Sequence, residues 1–341
     1  MKNKSKKTIL INGLGFSGSG ALVDYFKEFN NIFVFADEFD VLRHSGGIFE
    51  LEKIIKSQNI FLIDSGVKRF IRLVDYLNRT SYKNKKGRGY QNVFGEKFKD
   101  SAYEFLEKIL LINSDTAQKY FNINENNDNS EYLKKVISAF SWIVPKKAKL
   151  EFKKDSDNKI YYAKALVEEE FVEYAKEFIS NIFSDQKDNE FLLLDQAISI
   201  GARNFSENLK YFHDAKAIVV YRDPRDVYME SLIMGRGWMT SNTVPDFINW
   251  IKCMYKPLED DNNSLLKISF EHLVLDYSNT TNKINKFVGI SPGSHFEPQK
   301  YLNPKISSEN VGIWKNAGNK AAIALIEKEL SEFCYNGYGD S

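Results

Sequence analysis

Cysteine, proline, net charge and long apolar runs are all scarce in this chain of 341 residues. There are two cysteines and seven prolines, and the net charge is +1. Cys253 and Cys334 lie far apart and belong to no C-x-x-C or Cys/His cluster. Neither a disulfide framework nor a zinc site is indicated, no metal is expected, and a reducing, cytoplasmic setting fits. With 47 basic against 46 acidic residues, the chain lacks the global basic field that holds proteins to nucleic acid, so any anion must be bound locally. No stretch approaches the roughly 20 apolar residues of a transmembrane helix, which leaves peripheral contact as the expected limit of membrane association. The start, MKNKSKKTILINGLGFSGSG, is unlike a signal peptide: its apolar part is short, contains Asn12 and runs into glycines.

What the chain does contain is enough apolar residue, 43%, to bury a sizeable core. Apolar, β-favouring runs bounded by turn residues fall at 8–12, 32–35, 60–63, 191–194, 217–221 and 265–269 and predict strands. Amphipathic stretches at 21–29, 205–212, 226–233 and 281–288 predict helices between them. Strand alternating with helix implies an α/β fold of three layers, a central parallel sheet covered on both faces, within one domain spanning residues 1–341. Residues 80–189 differ. Lys/Asn-rich loops alternate there with expected helices at 97–112, 131–140 and 165–182, which reads as a helical insertion suited to acceptor binding. The KNKKGR run within it reads as a solvated loop.

Two segments carry chemistry. The first expected strand leads into GLGFSGSGAL and then a helix. A strand, a glycine-rich turn and a helix start together cradle an anion, since backbone N–H groups and the positive end of the helix dipole point at it. Gly13, Gly15, Gly18 and Gly20 allow close approach, and Ser17 and Ser19 offer hydroxyls. Gly13, Gly15 and Gly18 also spell G-x-G-x-x-G, with Asp37 or Glu38 placed to hold a ribose, so a dinucleotide site stays open. A Walker A loop does not fit, because Gly20 is followed by Ala21 and Leu22 rather than Lys and Ser/Thr. The second segment, AKAIVVYRDPRDVYMESL, sets Arg222, Pro224 and Arg225 at a strand end and helix start, where an arginine can grip phosphate through two nitrogens.

Taken together these segments resemble the sulfotransferases that use 3′-phosphoadenosine 5′-phosphosulfate (PAPS), particularly the carbohydrate-sulfating members. FSGSGAL matches the family's 5′-phosphosulfate loop, and HDAKAIVVYRDPRDVYMESL matches its 3′-phosphate segment. ISFEHLVLDYSNTTNKINKFVGI is similar to its strand, E-x-L and helix, and NVGIWKN to its C-terminal G-x-W-K element. The resemblance spans about residues 8–36 and 190–339 and leaves the middle uncovered. It implies a P-loop-like turn and a PAPS site formed by Phe16, Ser17, Gly18, Ser19, Gly20, Ala21, Arg222, Ser231, Gly312, Trp314 and Lys315. Trp314 is equally open to a place in the core.

Two positions depart from the family pattern. Phe16 stands where a Lys or Arg usually precedes S-G, and Glu230 stands where a serine usually follows the first arginine by eight residues. Glu230 is expected to turn away from the phosphate and leave Ser231 or Tyr228 in its role. The missing cation is expected from Arg43, Lys68 or Arg69, or from loop amides alone.

Sulfuryl transfer is an in-line displacement, helped by positioning, by charge stabilisation on the leaving group and by a base. The resemblance makes Glu38 the first choice of base and His44 the second. Asp37 and Asp40 suit capping or surface salt bridges, and Asp195 and Gln196, at a strand end, suit orienting the acceptor. The expected partner is a glycan or another hydroxyl-bearing acceptor. A non-catalytic nucleotide- or glycan-binding protein of the same fold, and a P-loop nucleotide kinase, are the competing expectations.

Overall fold

The structure is a computed structural model that describes residues 6–79, 87–114, 160–186, 188–198, 206–235, 243–255 and 263–337. In chain order it runs β1 (Lys7–Gly13), α1 (Ser19–Phe26), β2 (Ile32–Glu38), α2 (Ile48–Lys56), α3 (Ile60–Asn78), α4 (Tyr90–Phe94), α5 (Lys97–Ile109) and β3 (Leu110–Ser114). It continues with β4 (Ile160–Ala163), α6 (Glu168–Ile182), β5 (Phe191–Asp195), β6 (Ala215–Tyr221), α7 (Pro224–Ile233), α8 (Val244–Tyr255) and β7 (Leu265–Ser269). The last helices are α9 (Phe270–Leu275), α10 (Tyr277–Val288), α11 (Pro304–Ser307) and α12 (Lys320–Glu329).

Five strands form a parallel sheet in the order β2-β5-β1-β6-β7. Along β1 successive side chains point to opposite faces. Ile9 and Ile11 pack with Leu22 and Phe26 of α1 and Ile284 of α10, while Leu10 joins the other cluster, with Phe70, Phe105 and Phe178 of α3, α5 and α6. Both faces are covered, so the central strands read as nearly continuous apolar runs. This is the expected α/β fold with a central parallel sheet. From β1 the chain crosses to β2 on one side, and from β5 it crosses to β6 on the other. That reversal opens a crevice beyond the carboxyl ends of β1, β5 and β6, the usual ligand position in such sheets.

Several expected elements change on folding. Residues 60–63 are not a strand but the first turn of α3. Asn59 caps that turn by accepting hydrogen bonds from the amides of Phe61 and Leu62. Ile63, Val67, Phe70, Val74 and Leu77 then form one buried helical stripe, while Ile60, Phe61 and Leu62 are exposed. A short apolar run alone does not separate strand from helix. The helix expected at 97–112 ends at Ile109, and residues from Leu110 form β3, antiparallel to β4. A helix expected at 205–212 is the 3-10 turn Ser206–Tyr211, and one expected at 165–182 starts at Glu168. The helix expected at 131–140 lies outside the described residues. Helices α2 and α3 share the cluster built by α5 and α6, so the helical layer begins before residue 80.

A buried carboxylate ties the end of α1 to the segment that later forms one wall of the crevice. Glu28 is 1% exposed. It accepts hydrogen bonds from His295 Nε2 (2.7 Å) and from the amides of Gln299 (3.0 Å), Tyr301 (3.1 Å) and Leu302 (3.0 Å). His295 also stacks on Phe29 at 4.4 Å. Removing one partner of such a buried network strands the others without solvent, at about 1–3 kcal/mol for each group left unpaired. Glu28→Ala is therefore expected to destabilise the protein by about 3 kcal/mol or more in urea unfolding, and Glu28→Gln by clearly less, because the amide oxygen still accepts.

Candidate active site

The turn after β1 is built for close approach. Gly18, at the N-cap of α1, has φ of 84°, and a Cβ there would run into the Phe270 ring. Such a backbone suits glycine, the one residue without a Cβ. No side chain caps α1, and its first turn holds no acidic residue. The first amides of a helix have no acceptor four residues back; here the Ala21 amide turns to the Gly18 carbonyl (3.0 Å), and the residues of this turn border a cavity of about 860 Å³. Gly18, Ser19, Gly20 and Ala21 all line it, as expected. Ser17 does not: it is fully buried beneath the turn, its Oγ without a hydrogen-bond partner among the described residues. Phe16 lines the cavity with φ of 66°, and Gln196, at the end of β5, has φ of 54°. Two strained non-glycine residues thus flank the turn, a placement common at functional sites.

Arg222, at the end of β6, joins three parts of the chain. Its Nη1 donates to the Phe16 carbonyl (2.9 Å) and to Glu230 Oε2, and its Nη2 donates to the Asn310 carbonyl (2.7 Å). The guanidinium lies 5.0 Å from the Phe270 ring centroid, and its Nε is buried without a partner among the described residues. Glu230 therefore does not turn away as expected. One helical turn or two into α7 a carboxylate on the same face meets the arginine, and charge pairing holds it in the cavity wall. Ser231 does not replace it, since it points inward at 1% exposure and its hydroxyl donates to the Tyr228 carbonyl at 2.7 Å.

The rest of the RDPRD segment is structural. Asp223 caps α7 by accepting from the Arg225 amide (2.8 Å) and also pairs with the Arg225 guanidinium, which lies over Trp314 at 4.1 Å. Asp226, fully buried, accepts from the amides of Gly312 (2.7 Å) and Trp314 (3.1 Å), and burial raises its pKa. Gly312, Trp314 and Lys315 accordingly do not line the cavity: the two amides expected to meet a phosphate are spent on Asp226. From the C-terminal segment, Ser307 and Asn310 reach the cavity instead.

The opposite wall comes from the ends of β2 and β5. Glu38 lines it, with its Oε2 bound by Arg43 (2.6 Å) and Arg88 (3.0 Å). Asp40 pairs with the same two arginines at 2.8 Å each but is buried rather than at the surface, whereas half-exposed Asp37 makes the expected salt bridge, with Arg88 at 3.2 Å. Arg88 belongs to the KNKKGR run expected to be solvated. Tyr90, two residues on, is fully buried, donates to the Glu38 carbonyl (2.6 Å) and accepts from the Asp40 amide (2.9 Å), which draws Arg88 inward. Arg43 and Arg88 are thus the cations at this wall. Lys68 pairs with Asp64, and Arg69 with Glu50, away from the cavity. His44 is exposed, beside Tyr76, and does not line the cavity.

Asp195 and Gln196 both face the cavity. Gln196 Nε2 donates to Ser19 Oγ at 3.1 Å. Asp195 has its pKa pushed up to about 7, first by burial and then by the charge of Glu38, and its Oδ1 is buried without a hydrogen-bond partner among the described residues. Sequence reasoning missed Arg88, Asn310 and Trp250 as lining residues. A stabilising tyrosine just after the charge run was the one signal available for Arg88.

No family model and no curated protein matches the chain. Among solved structures, similar chains include the sulfotransferase domain of a Synechococcus olefin synthase, at 12% identity and a TM-score of 0.44, with 97% of both chains covered. A sulfotransferase domain from the curacin biosynthetic pathway shares 11% identity at a TM-score of 0.42, over 96% of this chain and 98% of that one. A retinol dehydratase in complex with androsterone and inactive cofactor PAP shares 12% identity at 0.36, over 95% and 80%. At TM-scores below 0.5, function has to be argued from the residues of the cavity.

Two outcomes test this geometry. Gly18→Ala is expected to cost about 2–4 kcal/mol in chemical unfolding, from the left-handed backbone and the Phe270 overlap. Gly20→Ala, where a Cβ finds open space, stays within about 0.5 kcal/mol. The second concerns Asp195. With its folded pKa near 7 and an ordinary value of 3.8, the folded state binds the extra proton, so ionising Asp195 weakens the fold as pH rises through that window. Asp195→Asn removes the penalty, and its Tm relative to the parent protein is expected to rise between about pH 4 and about pH 7 and to level off above that.

Proposed function

We propose that the protein is a PAPS-dependent sulfotransferase that moves a sulfuryl group to a hydroxyl of a carbohydrate or glycan acceptor. The observation that carries this reading is the meeting of the two anion-binding segments in one cavity, where Arg222 of RDPRD donates to the carbonyl of Phe16 in the glycine turn. A phosphonucleotide fits what is there. The first amides of α1 are uncapped, Gly18 leaves no room for a Cβ, and the buried Arg222 Nε has no partner among the described residues.

PAPS, when bound, supplies the sulfuryl group and a phosphate leaving group. The residues of the chain divide the remaining work. The amides from Gly18 to Gly20 hold the 5′ end, and Ser19, held by Gln196, adds a hydroxyl. Arg222 takes the 3′-phosphate by exchanging Glu230 for it. Phe270, Trp250 and Met254 offer apolar faces for the adenine. With Phe16 uncharged, Arg43 and Arg88 supply the positive charge near the transferring group. A carboxylate at the strand ends, Glu38 or Asp195, receives the acceptor proton. The segment 80–189 selects the acceptor. Arg88 and Tyr90 already bring it to the cavity edge, and the carboxylates and guanidinium groups there match the many hydroxyls of a sugar. The two free cysteines accord with a cytoplasmic setting.

One observation favours a second reading, a non-catalytic nucleotide- or glycan-binding protein: the Glu230 carboxylate occupies the guanidinium that a phosphate would use. Calorimetric titration with 3′-phosphoadenosine 5′-phosphate (PAP) tests both. Binding is expected, weakened about 10- to 100-fold by Arg222→Ala and tightened about tenfold by Glu230→Ser, which frees the arginine. No binding by the unmodified protein sinks the sulfotransferase reading. Binding without transfer of labelled sulfate from PAPS to any of a panel of glycans, phenols and alcohols favours the second reading.

A further inference from the structure

Glu38 and Asp195 end adjacent strands and stand opposite one another in the register of β2 and β5, yet their surroundings differ. Building on the sulfotransferase reading, we infer that Asp195 is the general base, and that Glu38 is a positioning group held by Arg43 and Arg88.

Position comes first. Asp195 pairs in register with Ile11 of β1 on one side and with Glu38 of β2 on the other, at a strand spacing of about 4.8 Å. Two residues after Ile11, β1 ends at Gly13 and the glycine turn begins. Gln196, next to Asp195, donates from its amide to the Ile11 carbonyl at 2.7 Å and from its side chain to Ser19 at the start of α1. The carboxylate is therefore fixed at the crevice beside the place where the anion-binding amides converge.

Ion pairing separates the two carboxylates. A base needs a carboxylate that can accept from the acceptor hydroxyl. Glu38 directs Oε2 at two guanidinium groups, a contact that suits orientation and charge balance. Asp195 lines the cavity and makes no ion pair among the described residues.

The electrostatic surroundings agree with this assignment. Burial is the largest effect on Asp195; facing it from β2 are Glu38 and Asp37, whose charges raise its proton affinity, while Arg43 from the following turn and a hydrogen bond from the Gln196 backbone lower it. Arg88 neutralises Glu38 and Asp40 on the same wall, and Asp24 of α1 and the Arg222–Glu230 pair complete the charged lining. The register partner on the β1 side, Ile11, does not titrate. A base whose affinity sits near the working pH combines availability with driving force.

In the transfer step, the Asp195 carboxylate takes the proton of the acceptor hydroxyl as the hydroxyl oxygen bonds to sulfur. The bond from sulfur to the bridging phosphate oxygen breaks, its electron pair leaves with PAP, and the proton on Asp195 passes to solvent after product release.

The test uses the full chain saturated with PAP and follows the carbon-13 signals of its labelled aspartate carboxyls through a pH titration. A carboxyl titrating near neutrality that vanishes in Asp195→Asn is expected. Titration of Asp195 in the ordinary carboxylate range overturns the assignment, and this readout needs no acceptor. With any acceptor from the panel that turns over, Asp195→Asn is expected to lower kcat roughly 10²- to 10⁴-fold and abolish the acid limb of its pH profile, with PAP affinity within about threefold. Glu38→Gln is expected to raise the acceptor KM and keep the acid limb. The reverse pattern, with the limb lost in Glu38→Gln and kept in Asp195→Asn, contradicts the inference. Failure of the unmodified protein to bind PAP overturns the sulfotransferase reading itself, whereas PAP binding with an ordinary Asp195 overturns only the choice of base.

Discussion

The Arg222 guanidinium is the contact on which the site depends. It ends β6, bonds to the glycine turn through Phe16, to the C-terminal segment through Asn310 and to α7 through Glu230, and it rests on the ring of Phe270 that also fills the space beside Gly18. A buried cation with these partners holds three segments, far apart in sequence, around one cavity. Burial of such a charge is tolerable only when it is paired and hydrogen-bonded, and Glu230 supplies the pair. The same carboxylate that departs from the expected pattern is therefore what keeps the arginine in place without a ligand. A phosphate arriving there exchanges one anion for another.

Other buried carboxylates act as struts. Glu28 gathers the loop from His295 to Leu302, and Asp226 gathers Gly312 and Trp314, so both cavity-forming C-terminal segments hang from helices that begin or end near the sheet. Asp195 is the exception. It lines the cavity wall, and among the described residues its Oδ1 has no hydrogen-bond partner. Two carboxylates one strand apart, one held by arginines and one kept near neutrality by burial, are the kind of divergent pair in which roles separate.

The parallel sheet and the two segments that meet at the cavity were legible because they are local. β1, the glycine turn and α1 are contiguous, as are β6, Arg222 and α7, and apolar runs bounded by turn residues mark the strands. Contacts made across long sequence separations were not legible. Arg88 reads as one more charge in a Lys-rich run until Tyr90 anchors on the backbone of residues 38 and 40. The amides near Trp314 match a phosphate-binding element in sequence, yet Asp226, 86 residues from Gly312, takes them. Residues 60–63 read as a strand because four apolar side chains carry no period, and only the stripe from Ile63 to Leu77 shows the helix.

The central claim is that the glycine turn and Arg222 form one phosphonucleotide site. The most direct measurement is a crystal structure of the protein with PAP. The 5′-phosphate is expected on the amides at the start of α1 and the 3′-phosphate on Arg222, with Glu230 displaced from the guanidinium. PAP bound elsewhere, or an Arg222–Glu230 pair unchanged beside a bound nucleotide, would contradict it.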